Sequence, residues 1–293
     1  MAFTSVDDIV SEITNGKFNR ADWNKITGGA AYTAGRWYDF SPLAGTPVAN
    51  AWAGTALNWV TCTETAGNGT QIFGIPHGGN VSTDTKHILN ASVITAVATG
   101  VPAQLMLVDM QGYFPGINMN LATAQTMVGT PTLRYANGVS VRAALVITAT
   151  SGATAHNVAM SYTNTAGTSG RTLPVTVSCT ASAITPHITH SGTAANNYGP
   201  FLPLASGDLG VQSVQSVTIS AASGAGTAAL ALYRPLMTIP LTSVGIATER
   251  DFLNQLPSLP RIVDGACLTW LYFANAATAA STNFYGSIEK GWG

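Results

Sequence analysis

His187-Ile188-Thr189-His190 is the tightest grouping of metal-ligating side chains in the chain. Two imidazoles this close can share one ion, but a zinc site takes three or four ligands. No HExxH glutamate and no nearby cysteine pair completes the set, so both read as loop histidines that hydrogen-bond locally. His77, His87 and His156 are scattered and form no pattern. A serine nucleophile of the Gly-x-Ser-x-Gly type on a strand-to-helix turn is absent. Glycoside hydrolysis needs two carboxylates across a cleft. The 13 acids fall mostly in the N-terminal stretch, the early loops and the C-terminal third, with no pair that stands out. Thr165-Ala166-Gly167-Thr168-Ser169-Gly170-Arg171 has the glycines of a phosphate loop, yet TLPVTVS follows it, a strand containing Pro174 rather than a helix aimed at an anion. The loop is expected to be a hairpin tip, with Arg171 at a sheet edge or a subunit contact. The expectation is a protein that is not an enzyme and uses neither cofactor nor metal.

The elements around that tip dominate the pattern. In Val139–Cys179 three runs alternate with a period of two. Val139, Val141, Ala143, Leu145, Ile147 and Ala149 share one face, then Val158, Met160 and Tyr162, then Leu173, Val175, Val177 and Cys179. Three neighbouring strands of one half-buried sheet are expected. Their other face carries Ser140, Arg142, Ser161, Thr163, Thr176 and Ser178, mostly small hydroxyls, which suits a surface covered by a second sheet or a subunit.

Composition points the same way. Of 293 residues only 9% are Asp, Glu, Lys or Arg, against about 25% in ordinary soluble domains. From Ile88 to Tyr233 the only charged residues are Asp109, Arg134, Arg142, Arg171 and Asp208. A chain with so few charges is poorly protected against association. The net charge of −1 argues against a nucleic-acid binder, which needs a basic face to displace counterions from phosphates. No apolar run is long enough to cross a bilayer. MAFTSVDDIV carries acids where a signal peptide carries Lys or Arg, so synthesis in the cytoplasm is expected. Cys62, Cys179 and Cys267 each sit in an apolar run and are expected as buried free thiols.

At the N-terminus, Ser5 is placed to cap a helix with Asp7 and Asp8 in its first turn, Val6, Ile9, Val10 and Ile13 at helical spacing, and Gly16 at its end. Phe18, Trp23 and Ile26 extend an apolar side, giving a helical arm over residues 1–29 that packs on its own domain or reaches a neighbour. Residues 30–293 are expected to form one β-sandwich domain with long loops, with room for a small insertion around 30–100. Strands are expected at Leu57–Cys62, 87–97, 102–110, Ser213–Ser220, Thr227–Arg234, Cys267–Phe273 and Asn283–Glu289. Turns are expected at Asn68-Gly69 and Asn137-Gly138, and a loop with aromatic anchors over YFPGINMNLATAQTM. Thr248 with Asp251 resembles a capping box for a short helix ended by Pro257. The fold class is mainly β, an antiparallel, jelly-roll-like β-sandwich with a short N-terminal helical arm.

The stretches SYTNTAGTSGRT, HSGTAANNYGPFLPLASGDLGVQSVQSVTIS and ATERDFLNQLPSLPRIVDGACLTWLYF, with the terminal GWG, resemble virion structural proteins of tailed bacteriophages. The resemblance runs from about Leu105 to the C-terminus and brings no catalytic residue with it. It implies a protein of the virion, most simply a capsid decoration or cement protein that oligomerises, for instance as a trimer, and binds the major capsid protein or other virion proteins. A tail, neck or baseplate component or the major shell protein is the alternative within that class. A carbohydrate-binding receptor module is the alternative outside it, discriminated by whether Trp37, Trp52, Trp59 and Trp270 are buried or line one open groove. Candidate intersubunit contacts are Phe3, Ile9, Phe18, Trp23, Arg171, Glu249, Arg250 and Asp251. Deletion of residues 1–27 is expected to leave the sandwich folded but to weaken assembly.

Overall fold

Ser5 does close the first helix, α1 (Val6–Thr14): its side chain accepts from the Asp8 N–H at 3.1 Å, and the Asp8 carboxylate accepts from the Thr4 N–H at 2.9 Å. Gly16, with φ of +84°, supplies the left-handed residue that ends it. The computed structural model describes residues 3–64, 73–192, 199–255 and 259–293; the expected turn at Asn68-Gly69 and the stop at Pro257 lie outside them. Beyond α1 the protein is an antiparallel β-sandwich built from three sheets.

The first sheet has the order β14 (Thr248–Asp251), β5 (Lys86–Ile94), β17 (Asn283–Trp292), β1 (Phe18–Ile26) and β3 (Ala44–Thr46), with β15 (Arg261–Ile262) also on β5. The second has β10 (Arg171–Thr172), β9 (His156–Asn164), β12 (Val211–Ile219) and β7 (Ala124–Thr126), with β11 (Val177–Cys179) also on β9. The third and central sheet has β2 (Arg36–Asp39), β16 (Leu268–Ala274), β6 (Ala103–Asn118), β13 (Thr227–Leu241) and β8 (Arg142–Ala149), with β4 (Val60–Thr61) also on β6.

Two long strands, β6 and β13, carry both halves of the sandwich. Leu105, Leu107, Met237 and Ile239 pack with Trp23, Ile88, Val93 and Ile288 of the first sheet. Further along the same strands, Phe114, Leu230 and Leu232 pack with Met160, Tyr162, Val214 and Val217 of the second. The first set on β6 is odd-numbered while Phe114 is even, and a strict period of two would put them on opposite faces. Bulges in the β6–β13 ladder at Leu232/Tyr233 and Pro235/Met237 shift the parity and keep both cores on one face. Val108, Met110, Ala229, Ala231 and Tyr233 occupy the other face, covered by Trp37, Trp52, Cys62 and Ile188. A sheet buried on both faces needs apolar side chains at every position, which is why ALALY and LMLV do not alternate.

Several expectations are corrected by this architecture. The three runs of Val139–Cys179 are not neighbours in one sheet: β8 lies in the central sheet and β9 with β11 in the second, facing each other across a shared core. Period two fixes which side of a strand is apolar but not which strand lies beside it. YFPGIN is not a loop, since β6 continues through Pro115 and Gly116 to Asn118. Gly116 is required there: its φ is +71° and a Cβ would lie 2.7 Å from that of Ala56. Likewise β13 runs past Pro235 and Pro240, because β8 pairs with it only as far as Tyr233 and the remaining length has a free edge. Thr248–Asp251 is a strand rather than a capping box, and the Asp251 carboxylate instead accepts from the Leu253 N–H at the start of α2 (Phe252–Gln255).

The helical side expected to continue over Phe18, Trp23 and Ile26 is strand β1, held between β17 and β3. Ile9 and Trp23 are 5% and 3% exposed, and Trp23 tilts on Trp270 at 5.3 Å between ring centroids. Both side chains belong to the interior of their own chain, so neither is free to reach a neighbour. Residues 1–27 therefore cannot be removed as an arm without taking an internal strand from the first sheet.

Candidate functional site: an uncharged sheet face

The outer face of the second sheet is built without charge across four of its strands. β7, β9, β11 and β12 contain no Asp, Glu, Lys or Arg. Their inward residues, Val158, Met160, Tyr162, Val214 and Val217, are buried. Outward stand Asn157, Ala159, Ser161 and Thr163 from β9, and Ser213, Gln215 and Thr218 from β12, all half-buried or exposed. Gln215 Nε2 donates to Thr163 Oγ1 at 2.9 Å and Ser213 Oγ at 3.1 Å, which ties the two strands together across the face.

Pro174 cannot donate to a ladder, and the chain leaves β9 between Thr172 and Val177. The detached Leu173–Thr176 segment forms one wall of a groove of 560 Å³ whose floor is Asn157, Ala159 and Thr218. Val175 on its rim is 43% exposed. Hydroxyls, amides and small apolar groups can dock a complementary surface with no charge to desolvate, but no ionised group here can act as an acid, base or nucleophile.

At one end of this sheet, the glycine loop is the hairpin tip expected. Arg171 Nε donates to Asp208 Oδ2 at 3.0 Å; the Tyr162 hydroxyl donates to the same oxygen at 2.6 Å, and Asn164 Nδ2 to Oδ1 at 2.7 Å. The Tyr162 hydroxyl, together with Asn164 and Arg171, holds the Asp208 carboxyl down at about 2. Arg171 thus has an ion-pair partner within its own chain.

Elsewhere the ionisable side chains hold backbone. Glu64 accepts from the N–H groups of His77, Gly78 and Gly79 at 2.8, 3.0 and 3.0 Å and lies 3.0 Å from His77 Nε2. Lys86 Nζ donates to the carbonyls of His77 and Gly79 at 2.6 and 2.5 Å, and Lys290 Nζ to that of Pro76 at 2.8 Å. Burial, with Lys86 nearby, pushes the Lys290 ammonium down to about 8. Asp109, fully buried, receives Arg134 through both carboxylate oxygens, while Arg134 also donates to the carbonyls of Cys62 and Met110 at 2.5 and 2.6 Å. The first cluster pins the 76–79 loop to β5 and β17 of the first sheet, and the second pins the Cys62 and Arg134 segments to β6 of the central sheet. The residues of these clusters are far apart in the sequence and carry no local pattern; the adjacent glycines after His77 are the available signal for a backbone held at close quarters.

His187 and His190 are buried rather than in an open loop, and burial pushes both imidazoles down to about 3. Among the described residues no group of three His, Cys, Asp or Glu is arranged to hold a metal. The remaining candidate contacts fall on separate elements. Phe3 packs near the His87 ring at 5.8 Å, and Phe18 is 38% exposed at the start of β1. Glu249, Arg250 and Asp251 lie on the edge strand β14, where Arg250 donates to the Thr238 carbonyl at 3.2 Å. Trp37, Trp52 and Trp270 are buried and Trp59 is half-buried against Phe114, so these four do not line an open groove.

No protein-family model matches the chain, and no curated protein is similar to it. Among solved structures, one described as infectious bursal disease virus Gt strain is similar at 11% identity, covering 94% of this chain and 80% of that one, with a TM-score of 0.21. At that identity and score the likeness carries no argument about fold or role.

Proposed function

We propose that this chain is a structural protein of a virus particle, a capsid decoration or cement protein of the tailed-phage kind, which self-associates through the outer face of the second sheet and reinforces the shell. The observation that carries the reading is that face: four strands of hydroxyl, amide and small apolar groups with no charge to keep copies apart. Exposed sheets of monomers are normally guarded by lysines and other charges. In a particle the contact repeats many times, so a modest interface suffices. Arg171, Phe18 and Glu249 are contacts to shell proteins or to a second copy on this reading.

Mass photometry and light scattering of the purified protein test it. The wild type should form a discrete oligomer, and Ala159→Lys with Ser161→Lys should reduce it to a monomer that still unfolds cooperatively, with parallel loss of co-sedimentation with particles. A wild type that stays monomeric at high micromolar concentration, or a double-lysine variant that assembles normally, overturns the proposal.

One observation favours a saccharide-binding reading. Tyr285 is 41% exposed in a 500 Å³ groove on the first sheet, with Arg20, Asp22, Asn24, Ser92 and Ser287 around it. An aromatic ring among polar groups suits sugar stacking. Glycan-array binding abolished by Tyr285→Ala would favour it over assembly; no binding to any glycan would exclude it.

A further inference from the structure

Cys62 and Cys267 are 205 positions apart in the sequence, and β6 brings them together. β4 and β16 both pair antiparallel with the same edge of β6, Thr61 opposite Gly112 and Leu268 opposite Asp109. Cys62 follows the end of β4 and Cys267 precedes the start of β16, so the two cysteines fall at the junction where one short strand stops and the next begins. The hydrogen bonds agree: the Cys62 N–H donates to the Gln111 carbonyl at 3.1 Å, and the Cys267 carbonyl accepts from the Met110 N–H at 2.9 Å. Both side chains enter the same apolar cluster and both residues are fully buried. Burial, with the Cys267 thiol as a neighbour, pushes the Cys62 thiol well up.

One buried ion pair fixes both backbones. Asp109 Oδ1 accepts from the Cys267 N–H at 2.9 Å, and Arg134 Nη1 donates to the Cys62 carbonyl at 2.5 Å. The segment covering the pair passes with glycine at the point of contact, since a Cβ on Gly74 would lie 3.0 Å from Cys267 Sγ. Cys179 packs in the other core, against Val158 and Met160, and takes no part.

We propose that Cys62 and Cys267 are an oxidisable pair that closes to an intrachain disulfide, stapling the loop layer over the central sheet to β16. The balanced step is thiol–disulfide exchange with a small-molecule disulfide such as glutathione disulfide. One thiolate attacks a sulfur of glutathione disulfide and releases one glutathione thiolate; the second protein thiolate then attacks the mixed disulfide at the protein sulfur and releases the other. Two thiol protons leave, one glutathione disulfide becomes two glutathiones, and one protein S–S bond forms. A protein made among reduced thiols and released into an oxidising exterior would meet the two conditions in that order. Because the thiols are covered, exchange must follow local opening of the layer that contains Gly74.

The full-length protein is equilibrated with glutathione disulfide, in one arm as folded protein and in the other during refolding from denaturant, then alkylated in denaturant and analysed by intact mass and non-reduced peptide mapping. In both arms free thiols should fall from three to one, with the Cys62 and Cys267 peptides joined, and the melting temperature should rise and return on reduction. Cys179→Ser should keep the link, whereas Cys62→Ser and Cys267→Ser should each abolish it. Three free thiols after oxidative refolding, stable glutathione adducts without a protein–protein link, or a link through Cys179 would each overturn the proposal. The wild-type thiol count and map decide the matter even if a serine variant fails to fold. The oligomer can fail to appear while this disulfide forms, so the outcome is independent of the assembly reading.

Discussion

Replacing Arg134 by Met tests whether the buried ion pair organises the junction between β4, β6 and β16. The side chain of Arg134 is 11% exposed and that of Asp109 0%. With the guanidinium gone, Asp109 keeps only the Cys267 N–H among the hydrogen bonds described above, and the carbonyls of Cys62 and Met110 lose their donor. Removing one partner of a buried pair typically costs about 3–5 kcal/mol. With an unfolding entropy of about 2.1 cal/mol/K per residue, a 293-residue chain has about 0.6 kcal/mol/K, so a loss of about 4 kcal/mol lowers the melting temperature by about 6 °C. Asp109→Asn retains an acceptor for the Cys267 N–H but removes the charge. The double variant should therefore be more stable than the sum of the single losses implies, by about 2 kcal/mol of coupling. Calorimetry or circular-dichroism melts of the four proteins measure the cycle. A fall of less than about 1 °C for Arg134→Met, on the scale above, or strictly additive losses, would refute the assignment of this pair as the organiser.

Two further outcomes follow from other parts of the molecule. Burial pushes the His187 and His190 imidazoles down to about 3, below their ordinary value of about 6.5, so protons favour the unfolded chain. Their contribution is intact above pH 6.5 and declines as pH falls toward 3, by about 1.4 kcal/mol per imidazole at pH 5.5. Melts at pH 7.5 and 5.5 should differ by about 4–5 °C on the entropy scale above, and His187→Gln with His190→Gln should shrink that difference; an unchanged difference refutes the burial argument. For the N-terminus, a chain lacking residues 1–15 should still melt cooperatively, losing about 1.5–3 kcal/mol for the burial of Ile9, whereas a chain lacking 1–27 should fail to give a folded product. Equal melting of the two truncations would show that β1 is dispensable.

Much of the local structure was legible because its causes are local. Ser5, Asp8 and Gly16 mark α1 by the hydrogen bonds and backbone angle that helix ends require, and they do so in the structure. The apolar stripes Val141–Ile147 and Val158–Tyr162 were assigned to the correct faces because a strand turns alternate side chains to alternate sides. Phe18–Ile26 is ambiguous in the sequence because Phe18, Trp23 and Ile26 also fit a helix, and only pairing with β17 selects the strand. Pro115, Pro235 and Gly116 looked like breaks; bulges and free edges let the long strands pass through them.

The candidate surface was partly visible in the same way. Ser161 and Thr163 could be named as outward hydroxyls from spacing alone. Whether they were covered could not, since that depends on which sheet β9 joins and what lies across from it. Arg171 was correctly placed at a hairpin tip, while its partner Asp208 is 37 positions away and carried no local mark.

The amino-acid sequence by itself determined a mainly β chain, its capped helix, the apolar side of most strands and a low charge content of 9%. These follow from interactions between residues a few positions apart. Tertiary structure alone decided that β8 and β9 oppose each other, that β6 and β13 serve both cores on one face, and that Glu64, Asp109 and Arg134 hold backbone. It also brought Cys62 and Cys267 to one junction. Strand partners are chosen by the summed burial of distant segments, and no periodicity within one segment records that sum.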